Sequence, residues 1–151
     1  MDFLLLISTM IDEMKVRLIS KPNGSTKVKE WINEKNSKGS TPLHLASFKG
    51  HVDTIKLLID NGADINCVND SKQNVMHLAV QGNATNSLVY FYLKYHISIN
   101  VMDENGSTPI HLACFNGSEN CVQFLLSWNC NLNLQDVEGY TPLHLAVLSG
   151  N

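Results

Sequence analysis

Ser40-Thr41-Pro42-Leu43-His44-Leu45-Ala46 decides how this chain folds, because the stretch returns three times. Asn74-Val75-Met76-His77-Leu78-Ala79 is a degraded copy, while Thr108-Pro109-Ile110-His111-Leu112-Ala113 and Thr141-Pro142-Leu143-His144-Leu145-Ala146 are close ones. The histidines fall at 44, 77, 111 and 144, in steps of 33, 34 and 33. A constant step of this size marks a stacked array of small units. Each copy reads as a helix start. Threonine suits the cap and proline the first helical position, where its missing N–H costs nothing. The following apolar residues fall on one stripe of the helix.

Outward from these copies the units take shape. Repeat one spans 36–68, with a first helix over about Pro42 to Lys49 and a second over about Val52 to Asn61. Gly50 and Gly62 suit the helix ends, where the chain must turn through a left-handed residue. Repeat two spans 69–102 and departs most: Lys72 takes the place of Gly39, Val75 that of the proline, and His96 that of the cap glycine. Its extra residue is expected between Gln81 and Asn86, in the turn joining the two helices. Repeat three spans 103–135 and is regular, with Asn129 at the cap. Repeat four, 136–151, stops after its first helix, so the natural protein is expected to continue and the face at Leu143 to Leu148 to be left uncovered. Residues 1–35 read as an N-terminal helical cap and connecting loop: Phe3, Ile7, Met14 and Leu18 follow helical spacing, and an array needs an end piece over its first core face.

Composition narrows the function classes. The 44% hydrophobic content suits a folded chain, and a net charge of −3 does not suggest a general affinity for nucleic acid. All eleven Lys and Arg lie at or before Lys94, whereas residues 95–151 carry only Asp103, Glu104, Glu119, Asp136 and Glu138. The C-terminal end therefore favours a basic partner. Cys67, Cys114, Cys121 and Cys130 form no Cys-x-x-Cys pair and read as reduced core or surface residues. The apolar run at 3–7 is too short for a signal peptide and lacks a basic flank, and no run reaches transmembrane length.

No constellation with catalytic, cofactor-binding or metal-binding spacing is found. The histidine row cannot converge on one ion, since stacked helices lie about 10 Å apart and zinc needs ligands about 2 Å away. No phosphate-cradling loop, His-Glu-x-x-His or nucleophile elbow is present.

The motif T-P-L-H-x-A at this period resembles the ankyrin repeat, from about Ile32 to Asn151. The resemblance implies an all-α solenoid of helix–turn–helix units with β-hairpin loops and an N-terminal capping helix. It also implies imidazoles that hydrogen-bond the hairpin of the adjoining repeat, and a monomer that holds a protein or peptide ligand in a concave groove. The repeat register then offers Lys38, Phe48, Lys49, Tyr95, Glu104, Phe115, Asn116, Trp128, Glu138 and Tyr140 as groove residues. Aromatic residues in a groove make strong anchors.

Three further segments narrow the expectation. The run from Leu93-Lys94-Tyr95-His96 to Gly106-Ser107-Thr108-Pro109, Phe124-Leu125-Leu126-Ser127-Trp128-Asn129, and Leu143-His144-Leu145-Ala146-Val147-Leu148-Ser149-Gly150-Asn151 look like the ankyrin region of DHHC protein S-acyltransferases (palmitoyltransferases). In that group Trp often follows the TPLH histidine, where this chain has Leu45, Leu78, Leu112 and Leu145. The resemblance implies a substrate-recruiting domain in the cytoplasm, on the cytosolic face of a Golgi or other endomembrane, in a membrane-anchored enzyme. This stretch would itself be neither membrane-inserted nor catalytic. The alternative is the ankyrin domain of a soluble scaffold or regulatory protein, or of a channel's cytosolic region.

Overall fold

The computed structural model describes residues 31–151, so the N-terminal cap expected over 1–35 lies almost wholly outside the described residues. Seven helices follow among them: α1 (Pro42–Lys49), α2 (Val52–Asp60), α3 (Val75–Gln81), α4 (Thr85–Tyr95), α5 (Pro109–Asn116), α6 (Glu119–Ser127) and α7 (Pro142–Ser149). They form two layers. α1, α3, α5 and α7 stack on one another in order, and α2, α4 and α6 stack behind them. Proline opens α1, α5 and α7, as the motif requires. The described residues form no strand, and the expected hairpin loops are tight turns, each closed by two backbone bonds, as in Asn36 N–H to Ser40 O (3.0 Å) and Gly39 N–H to Asn36 O (2.9 Å).

The core lies between the layers. Leu43, Met76 and Ile110 of the first helices and Ile55, Leu58, Leu88, Phe91 and Leu125 of the second are fully buried. Ala46, Ala79 and Ala113 are buried as well, and their small side chains let the layers approach. One approach is closer still: a Cβ on Gly82 would run into the Phe48 carbonyl, so α3 meets α1 backbone to backbone there. At the C-terminal end Leu143 is 73% exposed, although Leu43 at the same repeat position is 0% exposed.

The 34-residue step has a different origin from the one the sequence suggests. The turn between the two helices is the same in every repeat, with a left-handed residue at Gly50, Asn83 and Gly117, six positions after each histidine. Leu58, Phe91 and Leu125 are then buried at equal offsets, so the register holds to Phe91. The extra residue lies between Phe91 and His96, at the end of α4. In α2, Ala63 N–H donates to Leu58 O (2.9 Å) and Gly62 N–H to Ile59 O (3.0 Å). α6 ends alike, with Cys130 to Leu125 (3.2 Å) and Asn129 to Leu126 (3.0 Å), the paired Schellman closure. α4 ends instead on one bond, His96 N–H to Tyr92 O (3.1 Å), with His96 left-handed at φ 52°. The single-bond closure accommodates one more residue before the turn.

Candidate functional site

The surface strip is built from the turns that precede each first helix. Each opens on Asn or Asp: Asn36, Asn69, Asp103 and Asp136. The side-chain oxygen gathers the turn's backbone donors. Asn36 Oδ1 accepts from Lys38 and Ser40 N–H (both 2.9 Å), Asp103 Oδ1 from Asn105 (2.9 Å) and Ser107 (3.0 Å), and Asp136 Oδ1 from Glu138 (3.0 Å) and Tyr140 (2.8 Å). Asn69 Oδ1 accepts from Gln73 N–H (2.9 Å). Such residues are favoured in turns for this reason. Sequence reasoning passed over these four, though they recur with the histidine period.

The turns are tied tip to tip. Asp70 N–H donates to Lys38 O (3.2 Å), Glu104 N–H to Ser71 O (3.0 Å) and Val137 N–H to Asn105 O (2.9 Å). A side-chain contact repeats farther along, where Asp64 N–H donates to Asn33 Oδ1 (2.8 Å) and Asn131 N–H to Asn100 Oδ1 (2.9 Å).

The histidines lock this strip to the helices. Thr41 N–H donates to His44 Nδ1 (3.1 Å), Asn74 N–H to His77 Nδ1 (3.3 Å) and Thr108 N–H to His111 Nδ1 (3.2 Å). Nδ1 is therefore the lone-pair nitrogen, and Nε2 carries the proton. Nε2–H donates to the next turn: His44 to Gln73 O (3.2 Å), His77 to Ser107 O (3.1 Å), His111 to Tyr140 O (3.2 Å) and Leu134 O (3.1 Å). Both nitrogens of all three rings are thus engaged in structural bonds. Burial pushes the His44 and His77 pKa values down, and the accepting carbonyls oppose this only in part. His144 keeps the bond from Thr141 N–H (3.2 Å) but is exposed, and its Nε2 has no protein partner among the described residues.

The expected groove residues divide by layer. Lys38, Glu104 and Glu138 are exposed at the turn tips. Tyr140 is half-buried in the last turn, its ring 6.3 Å from that of His144. Phe48, Lys49, Phe115 and Asn116 close the first helices α1 and α5; Phe115 is 55% exposed and Phe48 half-buried, with the Lys49 ammonium 5.8 Å from its ring centroid. Tyr95 and Trp128 belong to the second layer. Trp128 stacks on Tyr92 at 4.0 Å and lies 5.6 Å from Phe124, while Tyr95 meets Tyr90 edge-on at 5.7 Å. Their ring contacts are therefore within that layer, and both pack on the core. The register assigns Phe48 and Phe115 to the ends of first helices and Tyr95 and Trp128 to the ends of second helices, but the ring contacts of the latter pair are not read from it.

Cys67 Sγ lies 3.7 Å from His44 Nδ1 and 3.4 Å from Thr41 Oγ1. That nitrogen already accepts the Thr41 N–H, and burial raises the Cys67 pKa, so the pair carries no thiolate. Burial also raises Cys114 and Cys130 and lifts Cys121 to about 11. No helix among the described residues is long and apolar enough to cross a membrane.

Paired helices stacked in two layers, with their turns stitched into one exposed strip, define a binding solenoid. A family model for ankyrin repeats (3 copies) matches residues 16–87 and 76–151, and the chain belongs to the ankyrin-repeat family. Ankyrin repeats are protein–protein interaction modules, and the repeat block described above is one of them.

Relatives carry similar repeats in different settings. The chain is 36% identical over 92 residues to human transient receptor potential cation channel subfamily A member 1, covering 60% of this chain and 8% of that protein. It is 34% identical over 87 residues to alpha-latrotoxin-Lhe1a of Latrodectus hesperus, covering 57% and 6%. It is 31% identical over 91 residues to a probable serine/threonine-protein kinase of Dictyostelium discoideum, covering 58% and 11%. The chain thus spans a small part of the length of each.

Proposed function

We propose that this module, acting as a monomer, binds an extended peptide segment of a partner protein along the strip formed by the turn tips and the ends of the first helices. The units are bounded at 36–68, 69–102, 103–135 and 136–151, behind a cap over 1–35. The exposure of Phe115, 55% for a large aromatic ring at the end of a first helix, supports this reading most directly. Lys38, Phe48, Lys49, Glu104, Asn116, Glu138 and Tyr140 complete the strip, with Tyr95 and Trp128 at its outer margin.

A random twelve-residue peptide library selected on the 151-residue chain supplies ligands for the test. Phe115→Ala and Tyr140→Ala are expected to weaken the selected ligands about tenfold each, as loss of aromatic anchors does. Leu93→Ala on α4 is expected to leave them unchanged. Unchanged affinity in both aromatic variants removes the strip from consideration. Sedimentation of the same samples reports the oligomeric state.

The parent protein admits two readings. A substrate-recruiting domain of a membrane S-acyltransferase rests on the three segments that resemble that group. The alternative is the ankyrin domain of a soluble scaffold or regulatory protein or of a channel's cytosolic region, and the identity to a cation channel supports the last of these. The polypeptide attached to this block discriminates them: a Cys-rich Asp-His-His-Cys segment between apolar spans supports the enzyme, and its absence from the full protein removes it.

A further inference from the structure

The charges along the strip are ordered. In repeats one and two the exposed tips and first-helix ends carry Lys38, Lys49 and Lys72 against Asp70, three positive and one negative, a net +2. In repeats three and four the same positions carry Glu104 and Glu138 and no basic residue, a net −2. Because tip is bonded to tip from Lys38 to Val137, the two halves form one continuous strip.

Two independent details follow the same order. The residue that opens each turn is Asn36 and Asn69 in the first half but Asp103 and Asp136 in the second. All four make the turn with a side-chain oxygen, which Asn and Asp supply equally well. At the middle two turns a relay makes the choice, since Asn69 Nδ2–H donates to Gln73 Oε1 and Gln73 Nε2–H to Asp103 Oδ2 (both 3.3 Å), whereas Asp136 adds to the acidic half a carboxylate that its turn does not require. Lys72 is the second detail. It occupies the slot of Gly39 and Gly106 with φ 56°, in the left-handed region that disfavours a side chain. Its ammonium makes no hydrogen bond or ion pair with the described residues. Among the described residues nothing engages this ammonium, and an acidic ligand would.

Spacing sets the length. Stacked helices lie about 10 Å apart and an extended chain advances about 3.3 Å per residue, so roughly three ligand residues span one repeat. Phe48 and Phe115 stand near the ends of the first helices of repeats one and three, and Gln81 holds the equivalent place in the repeat between them. Apolar ligand residues roughly six apart would reach both rings.

We infer that the partner segment is a bipolar extended peptide of roughly twelve residues, its acidic half over repeats one and two and its basic half over repeats three and four. This rests on the strip being the binding surface. The test uses two fluorescent twelve-residue peptides of identical composition, each with leucines six apart. One segregates its glutamates from its lysines, and the other interleaves them. Fluorescence anisotropy is measured with the full chain, with Glu104→Lys/Glu138→Lys and with Phe115→Ala, after circular dichroism shows each variant folded. The segregated peptide is expected to bind about tenfold tighter than the interleaved one at low ionic strength, the gap closing as salt is added. The double glutamate variant is expected to abolish that preference. Equal affinities, absence of binding by both peptides included, overturn the charge order. If the affinities are equal but Phe115→Ala weakens both, the strip stands without its charge order. If either peptide binds and Phe115→Ala changes nothing, the strip and the charge order fall together.

Discussion

The repeating histidine is the residue on which the rest depends. It accepts from the cap backbone with one nitrogen and donates to the next repeat with the other, so it couples helix start to repeat stacking. A glutamate usually plays the first part in a capping box, and only a ring with a second nitrogen also plays the other. His77→Ala leaves the buried Asn74 N–H without a partner, takes from Ser107 O one of its two donors and opens a cavity, an expected loss of about 3 kcal/mol. His144→Ala, with an exposed ring, is expected to lose less than about 1 kcal/mol. Urea denaturation compares them, and equal losses contradict the coupling. The same burial makes stability depend on pH. His44 and His77 have folded pKa values below their unfolded value of about 6.5, so below that pH the unfolded chain binds more protons than the folded one. Their contribution is present in full above the unfolded pKa and is lost as pH falls from there toward the folded values. Denaturation midpoints are expected to fall between pH 7 and 5, and less so in a His44→Gln variant.

At the level of elements, most of the architecture is legible in the chain. The bounds of α1, the start of α2 and the positions of the turns follow from Thr-Pro and Gly signals, because caps and left-handed turns are local effects. The end of α4 is not legible. Its extra residue shifts the phase only after Phe91, and a shift of one shows in sequence merely as a longer step. The closure at His96 is the sign of it, a left-handed histidine where α2 and α6 have Gly62 and Asn129. His96→Gly relieves that backbone without touching a packed side chain, and a gain of about 0.5–1 kcal/mol is expected. A loss in thermal denaturation would show that the imidazole contributes a contact worth more than the strain.

Across the whole molecule, stability is close to a sum of repeat and interface contributions. α3 and α5 are flanked by first helices on both sides, whereas among the described residues α7 has a first helix, α5, on one side. Amide exchange is therefore expected to be slowest in α3 and α5 and fastest in α7, opening from the C-terminal end. Uniform protection would mean a single cooperative unit instead. The ordered charges and the exposed rings belong to this scale too, since each is meaningful only in line with its counterparts in the other repeats.

The period of the motif was sufficient to set the number of units, their helices and the histidine slots. Those depend on spacing, caps and turns, and each is decided within a few neighbouring residues. Register also offered the surface positions and the helix each belongs to, but not the contacts their rings make. Tyr95 and Trp128 lie at a helix end as Phe48 and Phe115 do, yet their rings pack in the second layer. Which ring a side chain meets is decided between helices of different repeats, across distances that no local pattern encodes. The stitching of the turns, the proton on Nε2 and the closure of α4 were likewise settled only when the repeats were stacked.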